Sequence, residues 1–125
     1  MKRLRGAYLA ALAPILLGIG LHLYEHVALS DTGFSPAFFL WAATPYGLCL
    51  AGLALRWQPL AIGFAATVAL ASDLVAHYSV FVHPTSSTAP LILLFMPLYN
   101  TLLWIPAALL LAHLLRRRFA GSPHR

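Results

Sequence analysis

Polar residues interrupt this chain rarely, leaving four apolar stretches at roughly 6–29, 37–55, 59–82 and 90–115. At about 1.5 Å of rise per residue, each is long enough to cross a hydrocarbon layer about 30 Å thick as a helix. Proline and hydroxyl side chains punctuate the stretches. Ser35-Pro36 reads as an N-cap with proline at the first helical position, where its missing N–H does no harm. Pro59 opens the third stretch after the turn Arg56-Trp57-Gln58, and Ser86-Ser87-Thr88 offers capping hydroxyls ahead of Pro90. Pro45, Pro97 and Pro106 predict local departures from a straight helix in the second and fourth stretches. With connections this short, consecutive helices run antiparallel. The predicted fold is therefore all-α: one domain, residues 1–125, forming an up-down-up-down four-helix transmembrane bundle.

Composition agrees with that pattern. Hydrophobic residues make up 61% of the 125 positions and charged residues 9%, a balance that a bilayer solvates and water does not. The charges add direction. Threaded four times through a membrane, the chain places Lys2, Arg3, Arg5, Arg56, Arg116, Arg117, Arg118 and Arg125 on one side. Glu25, Asp31 and Asp73 fall in the opposite half. Lys and Arg bias short loops toward the cytoplasm, so the expectation is a multi-pass protein of the cytoplasmic (inner) membrane with both termini inside. A net charge of +5 could suit nucleic acid. The cations are confined to helix ends facing lipid headgroups, however, so the lipid bilayer is the expected partner and nucleic acid is not. The lone Cys49 permits no internal disulfide. Met1-Lys2-Arg3-Leu4-Arg5 resembles the start of a secretory signal, with Ala28-x-Ser30 as an acceptable cleavage site. The apolar run exceeds a normal signal core and carries His22, Glu25 and His26, so a retained first span is expected.

Small residues recur at every fourth position, the spacing that lets helices approach closely. The rows are Ala10, Pro14, Gly18, His22, His26; then Ala43, Gly47, Ala51; then Ala61, Ala65, Ala69, Asp73, His77. Packing of the first and third helices through Gly18 and Ala69 is expected. Both of those rows run on into ionisable residues, and His22 and His26 map onto Asp73 and His77 at an offset of 51, a faint internal duplication.

These residues are the candidate chemistry. Helical spacing of three and four puts His22, Glu25 and His26 on one face, and Asp73 and His77 on one face of another helix. Rise along the helices sets His22 and Asp73 roughly 10–14 Å below the membrane surface. A carboxylate there costs about 2.5 kcal/mol or more unless paired, so both acids should point inward toward the histidines, supported by Tyr46 and Asn100. Three readings follow: a structural network, a metal site, or a proton or ion relay. As ligands, His22, Glu25, His26, Asp73 and His77 would suit a divalent transition metal such as zinc, copper or iron. A relay would use the same groups but finds little polar in the other half beyond Thr67, Thr101 and His113. No nucleophilic Ser/His/Asp pattern, glycine-rich phosphate loop or Cys-x-x-Cys occurs, so an enzyme of soluble type is unsupported. The leading expectation is a small integral membrane protein acting by association, as a homo-oligomer or an accessory subunit of a larger membrane complex. The alternative is a metal-binding or proton/ion-coupled membrane protein.

Overall fold

The computed structural model describes residues 1–31 and 33–121. Among these, every regular element is helical: α1 (Lys2–Ala28), α2 (Pro36–Ala54), α3 (Pro59–His77), α4 (Pro90–Tyr99) and α5 (Ile105–Ala120). A π-helical turn, Tyr78–Val82, extends α3, and another, Asn100–Trp104, joins α4 to α5. Four continuous helices are thus long and apolar enough to cross a membrane: Lys2–Ala28, Pro36–Ala54, Pro59–Val82 and Pro90–Ala120.

The boundaries have local causes. α1 starts ahead of its apolar stretch because Lys2, Arg3 and Arg5 are good helix formers and nothing breaks the chain before them. Ser35 caps α2, with the Phe38 N–H 3.5 Å from its hydroxyl. The capping expected of Ser86, Ser87 and Thr88 does not occur. Ala89 precedes α4 without a side-chain cap, and the Ser86 and Thr88 hydroxyls lie 3.1 Å from each other instead. The last long helix is not uniformly α-helical because Pro106 has no N–H to offer the carbonyl four residues back, and its ring crowds that carbonyl. One widened turn, closed by the Ile105 N–H on the Asn100 carbonyl, absorbs the misfit. α2 continues through Pro45 without such a turn.

α2 ends in a Schellman motif. The Trp57 N–H reaches the Gly52 carbonyl at 2.9 Å and the Arg56 N–H reaches the Leu53 carbonyl at 3.0 Å. Arg56 occupies the left-handed position, with φ of 59°. Glycine is usual there; a side chain costs roughly 1–2 kcal/mol.

α1 packs most extensively on α3. Their contacts advance in step: a Cβ on Gly63 would lie 3.0 Å from the Ala11 backbone, His22 meets Asp73, and Glu25 meets His77. The core comprises Ala11, Ile15, Tyr46, Cys49, Leu53, Ile62, Ala65, Ala66, Ala69, Ile105 and Ala108. Ala69 is fully buried, as its row predicts. Gly18 is buried too, and what stands closest to it is the Tyr46 ring of α2. A Cβ on Gly18 would sit 2.1 Å from the Tyr46 ring. The missing side chain is what lets that ring pass α1 and reach the middle of the bundle. The α2 row has a different orientation: Ala43 is half-buried, while Gly47 and Ala51 are exposed.

Candidate functional site: a buried histidine–carboxylate network

Two helix-face pairs, read from spacing alone, interlock across the α1–α3 contact. His22 and Glu25 stand one turn apart on α1, with His22 Nδ1 2.9 Å from Glu25 Oε2. The other ring nitrogen, Nε2, lies 3.1 Å from Asp73 Oδ2 on α3. Glu25 Oε1 is 2.8 Å from His77 Nδ1, one turn beyond Asp73. Two further donors close on Asp73. The Tyr46 hydroxyl from α2 donates to Oδ2 at 2.5 Å, and the Asn100 amide, where α4 becomes π-helical, donates to Oδ1 at 2.7 Å. All four long helices therefore meet in one hydrogen-bonded chain: Asn100 and Tyr46 to Asp73, then His22, Glu25 and His77.

Burial is near complete. Tyr46 and Asn100 are 0% exposed, Asp73 3%, His22 4% and Glu25 5%. Only the His77 end emerges, its side chain 18% exposed and its ring 5.0 Å from that of Phe81. Each carboxylate oxygen has at least one donor in reach, so neither acid bears an unmatched desolvation cost. A neutral imidazole carries one N–H and could serve one carboxylate; the imidazolium form of His22 donates to both. With both rings protonated, two positive and two negative charges cancel within the network.

The five residues expected as metal ligands do not converge. His22, Glu25, Asp73 and His77 join the network, but His26 does not. Its Nδ1 lies 2.8 Å from the His22 carbonyl, and its ring packs beside Phe38 and Phe39 at 6.4 and 6.2 Å between centroids. One turn beyond His22, it looks out at the α2 aromatics. Among the described residues, no group of three or more His, Cys, Asp or Glu side chains is arranged to hold a metal ion. In this arrangement both His22 nitrogens face carboxylate oxygens, leaving no lone pair directed at a common point.

Tyr46 and Asn100 stand where the sequence suggested, yet with a larger part than support, since they bring α2 and the fourth long helix onto Asp73. Trp41 also ties α2 to α4: its indole N–H donates to the Leu94 carbonyl at 2.9 Å. Nothing in the local sequence signals that bond. Thr44 instead turns back onto its own helix at the Leu40 carbonyl, and Thr67 does the same at Gly63. His83 stacks on Tyr78, apart from the network. At the deep end, Asn100 Oδ1 and Thr101 Oγ1 are buried without a partner.

Comparison with protein-family models, with curated proteins and with solved structures finds no match to this chain. Function must be argued from the geometry.

Proposed function

We propose that this chain is a small integral membrane protein that acts by association, as a homo-oligomer or as an accessory subunit of a larger membrane complex. The observation that carries this reading is the outward row of α2. Ala43, Gly47 and Ala51 repeat at the spacing of close helix contact, and an added Cβ on Gly47 would meet nothing within 4 Å. The matching rows are buried from Pro14 to His22 in α1 and from Ala65 to Asp73 in α3, whereas Gly47 and Ala51 are left exposed for another helix. The buried acids, by contrast, are spent on neighbours within the chain, as expected of a scaffold.

In this reading the four long helices cross the cytoplasmic membrane up-down-up-down, with both termini cytoplasmic. Three things support the placement: the stepwise α1–α3 contacts, the broad exposed apolar surface, and the gathering of Arg3, Arg56 and Arg116 at one end. Cysteines at Ser30 and Ser87, in a Cys49→Ala background, are expected to react with an impermeant thiol reagent from outside; labelling only after lysis would reverse the topology.

Association is tested by Gly47→Cys in the same background, oxidised in native membranes. A disulfide-linked species of twice the chain mass is expected for a homo-oligomer, and for a subunit a second chain that co-purifies in mild detergent and is lost in Gly47→Leu. Absence of both defeats the proposal. Leu102→Cys, at a position 71% exposed on the fourth long helix, is the control.

The second reading, a metal-binding or proton-coupled protein, draws on the unbroken donor–acceptor chain from His77 to Asp73. Near-stoichiometric metal in the purified protein, lost with His22→Ala or His77→Ala, would favour a metal site. Proton uptake in vesicles that is lost in His77→Gln, at the exposed end of that chain, would favour coupling.

A further inference from the structure

The end of the bundle away from the network holds a second constellation. A groove of about 750 Å³ opens between the start of α1, the α2–α3 turn and the last turns of α5. Arg3, Arg56 and Arg116 reach it from those three places, with Gln58 beside them, and no acidic side chain lines it. The rest of its wall is largely apolar, including Leu4, Ala7, Leu60 and Ala112. A narrower groove of about 410 Å³ shares Arg56, Gln58 and Arg116 and adds His113. The ion pairs of the described residues all lie in the buried network, so these three guanidiniums have no carboxylate partner among them.

Two further features favour a phosphate group at this place. α3 begins here, with Pro59 and Leu60 in the wall and no side-chain cap on its N-terminus, so the positive end of the helix dipole lies beside the groove. Arg56, for its part, holds a left-handed position that glycine would fill without strain. The strain sets a guanidinium where the turn itself asks for none.

We propose that this groove binds the phosphate headgroup of one anionic phospholipid, with an acyl chain lying along Leu4, Leu60 and Ala112. Arginine forks match phosphate oxygens in paired hydrogen bonds, and basic recesses between helix ends are suited to acidic headgroups. A free phosphate ion would use the arginines and leave the apolar wall uncovered; a phospholipid satisfies both. The proposal rests on the membrane placement given above.

The test uses the full chain, purified in mild detergent and titrated with phosphatidylglycerol, with phosphatidylcholine of the same acyl chains, and with inorganic phosphate, read by native mass spectrometry. One phosphatidylglycerol per chain is expected, held roughly tenfold more tightly than phosphatidylcholine. Arg3→Gln, Arg56→Gly and Arg116→Gln should each weaken it roughly fivefold. Arg117→Gln, which does not line the groove, should leave it unchanged. Arg56→Gly should melt at the same or a higher temperature, so that loss of lipid there is not loss of fold. Equal retention of the two lipids overturns the site. So does an Arg117→Gln effect as large as that of Arg116→Gln, or retention of inorganic phosphate without the lipid. A chain that stays in solution without detergent would remove the membrane placement itself, a result distinct from lost selectivity in a chain that needs detergent.

Discussion

The two ends of this bundle are held together by different means. Toward the acidic end, α1, α2, α3 and the fourth long helix converge on Asp73 and its partners, and the bonds between them are directional. Toward the basic end, α1, α3 and the fourth long helix meet through Ala11, Gly63, Ala65, Ala66 and Ala108, where only closeness counts. Directional bonds fix which residues face each other; small-residue contacts fix how near the axes lie. In a chain whose exterior is largely apolar, the first supplies register and the second supplies packing enthalpy. Gly18 joins the two. It is a small-residue contact whose purpose is to admit the Tyr46 ring to the polar network.

The comparison is most severely tested at Asp73. Asp73→Ala leaves the Tyr46 hydroxyl, the Asn100 amide and His22 Nε2 with no acceptor, and a loss of about 3–5 kcal/mol is expected in reversible unfolding. Asp73→Asn should recover little of it, because the amide brings its own N–H₂ into a site that already receives three donors. Full stability in Asp73→Asn would mean that the network is not ionic.

Gly18→Leu follows. The new side chain must occupy the space of a fully buried Tyr46 ring whose hydroxyl is bonded, so a loss of about 3 kcal/mol is expected. Combining it with Tyr46→Ala should cost less than the sum of the two changes, since the second removes what the first strikes. Additive losses would place Gly18 elsewhere.

Tyr46→Phe removes one bond to a buried carboxylate and preserves the ring. Interhelical hydrogen bonds within membranes average well under those in water, so about 1–2 kcal/mol is expected, at the upper end because the acceptor is charged. Gly63→Ala sharpens the contrast at the other end. Its Cβ would come within 3.0 Å of the Ala11 backbone, which must shift by a few tenths of an ångström, at a cost of about 1 kcal/mol. Gly47→Ala should be smallest, neutral or stabilising by up to about 1 kcal/mol, because the added methyl meets open space in the monomer. A large loss there, in a chain that cannot self-associate, would mean the row is internal.

Most of the secondary structure was legible in the sequence. Prolines 36, 59 and 90 each begin a helix as their fixed φ suggests. The pairs His22–Glu25 and Asp73–His77 follow from helical spacing, and so does the expectation that buried acids seek the histidines. His26 shows the limit. By spacing it is as good a candidate as His77, since each stands four residues beyond its partner; the aromatics of the neighbouring helix decide which side it faces. The α4–α5 turn was foreseeable only in kind: Pro106 implies a disturbance, while its form depends on what the freed backbone can find.

What the sequence determined by itself was the list of elements and the need for compensation. Long apolar stretches and proline-marked ends follow from chain-local energetics, and an acid within such a stretch must be partnered because leaving it alone is costly. Tertiary structure alone decided the partners. Whether Asp73 meets His22, Tyr46 and Asn100, whether Gly18 serves α2 or α3, and whether three arginines share one groove depend on the rotation of each helix about its axis. Each helix has a weak apolar–polar asymmetry here, so hydrophobicity does not set that rotation. It is set by a few contacts between residues far apart in the chain, and chiefly by the polar ones, whose geometry tolerates little error.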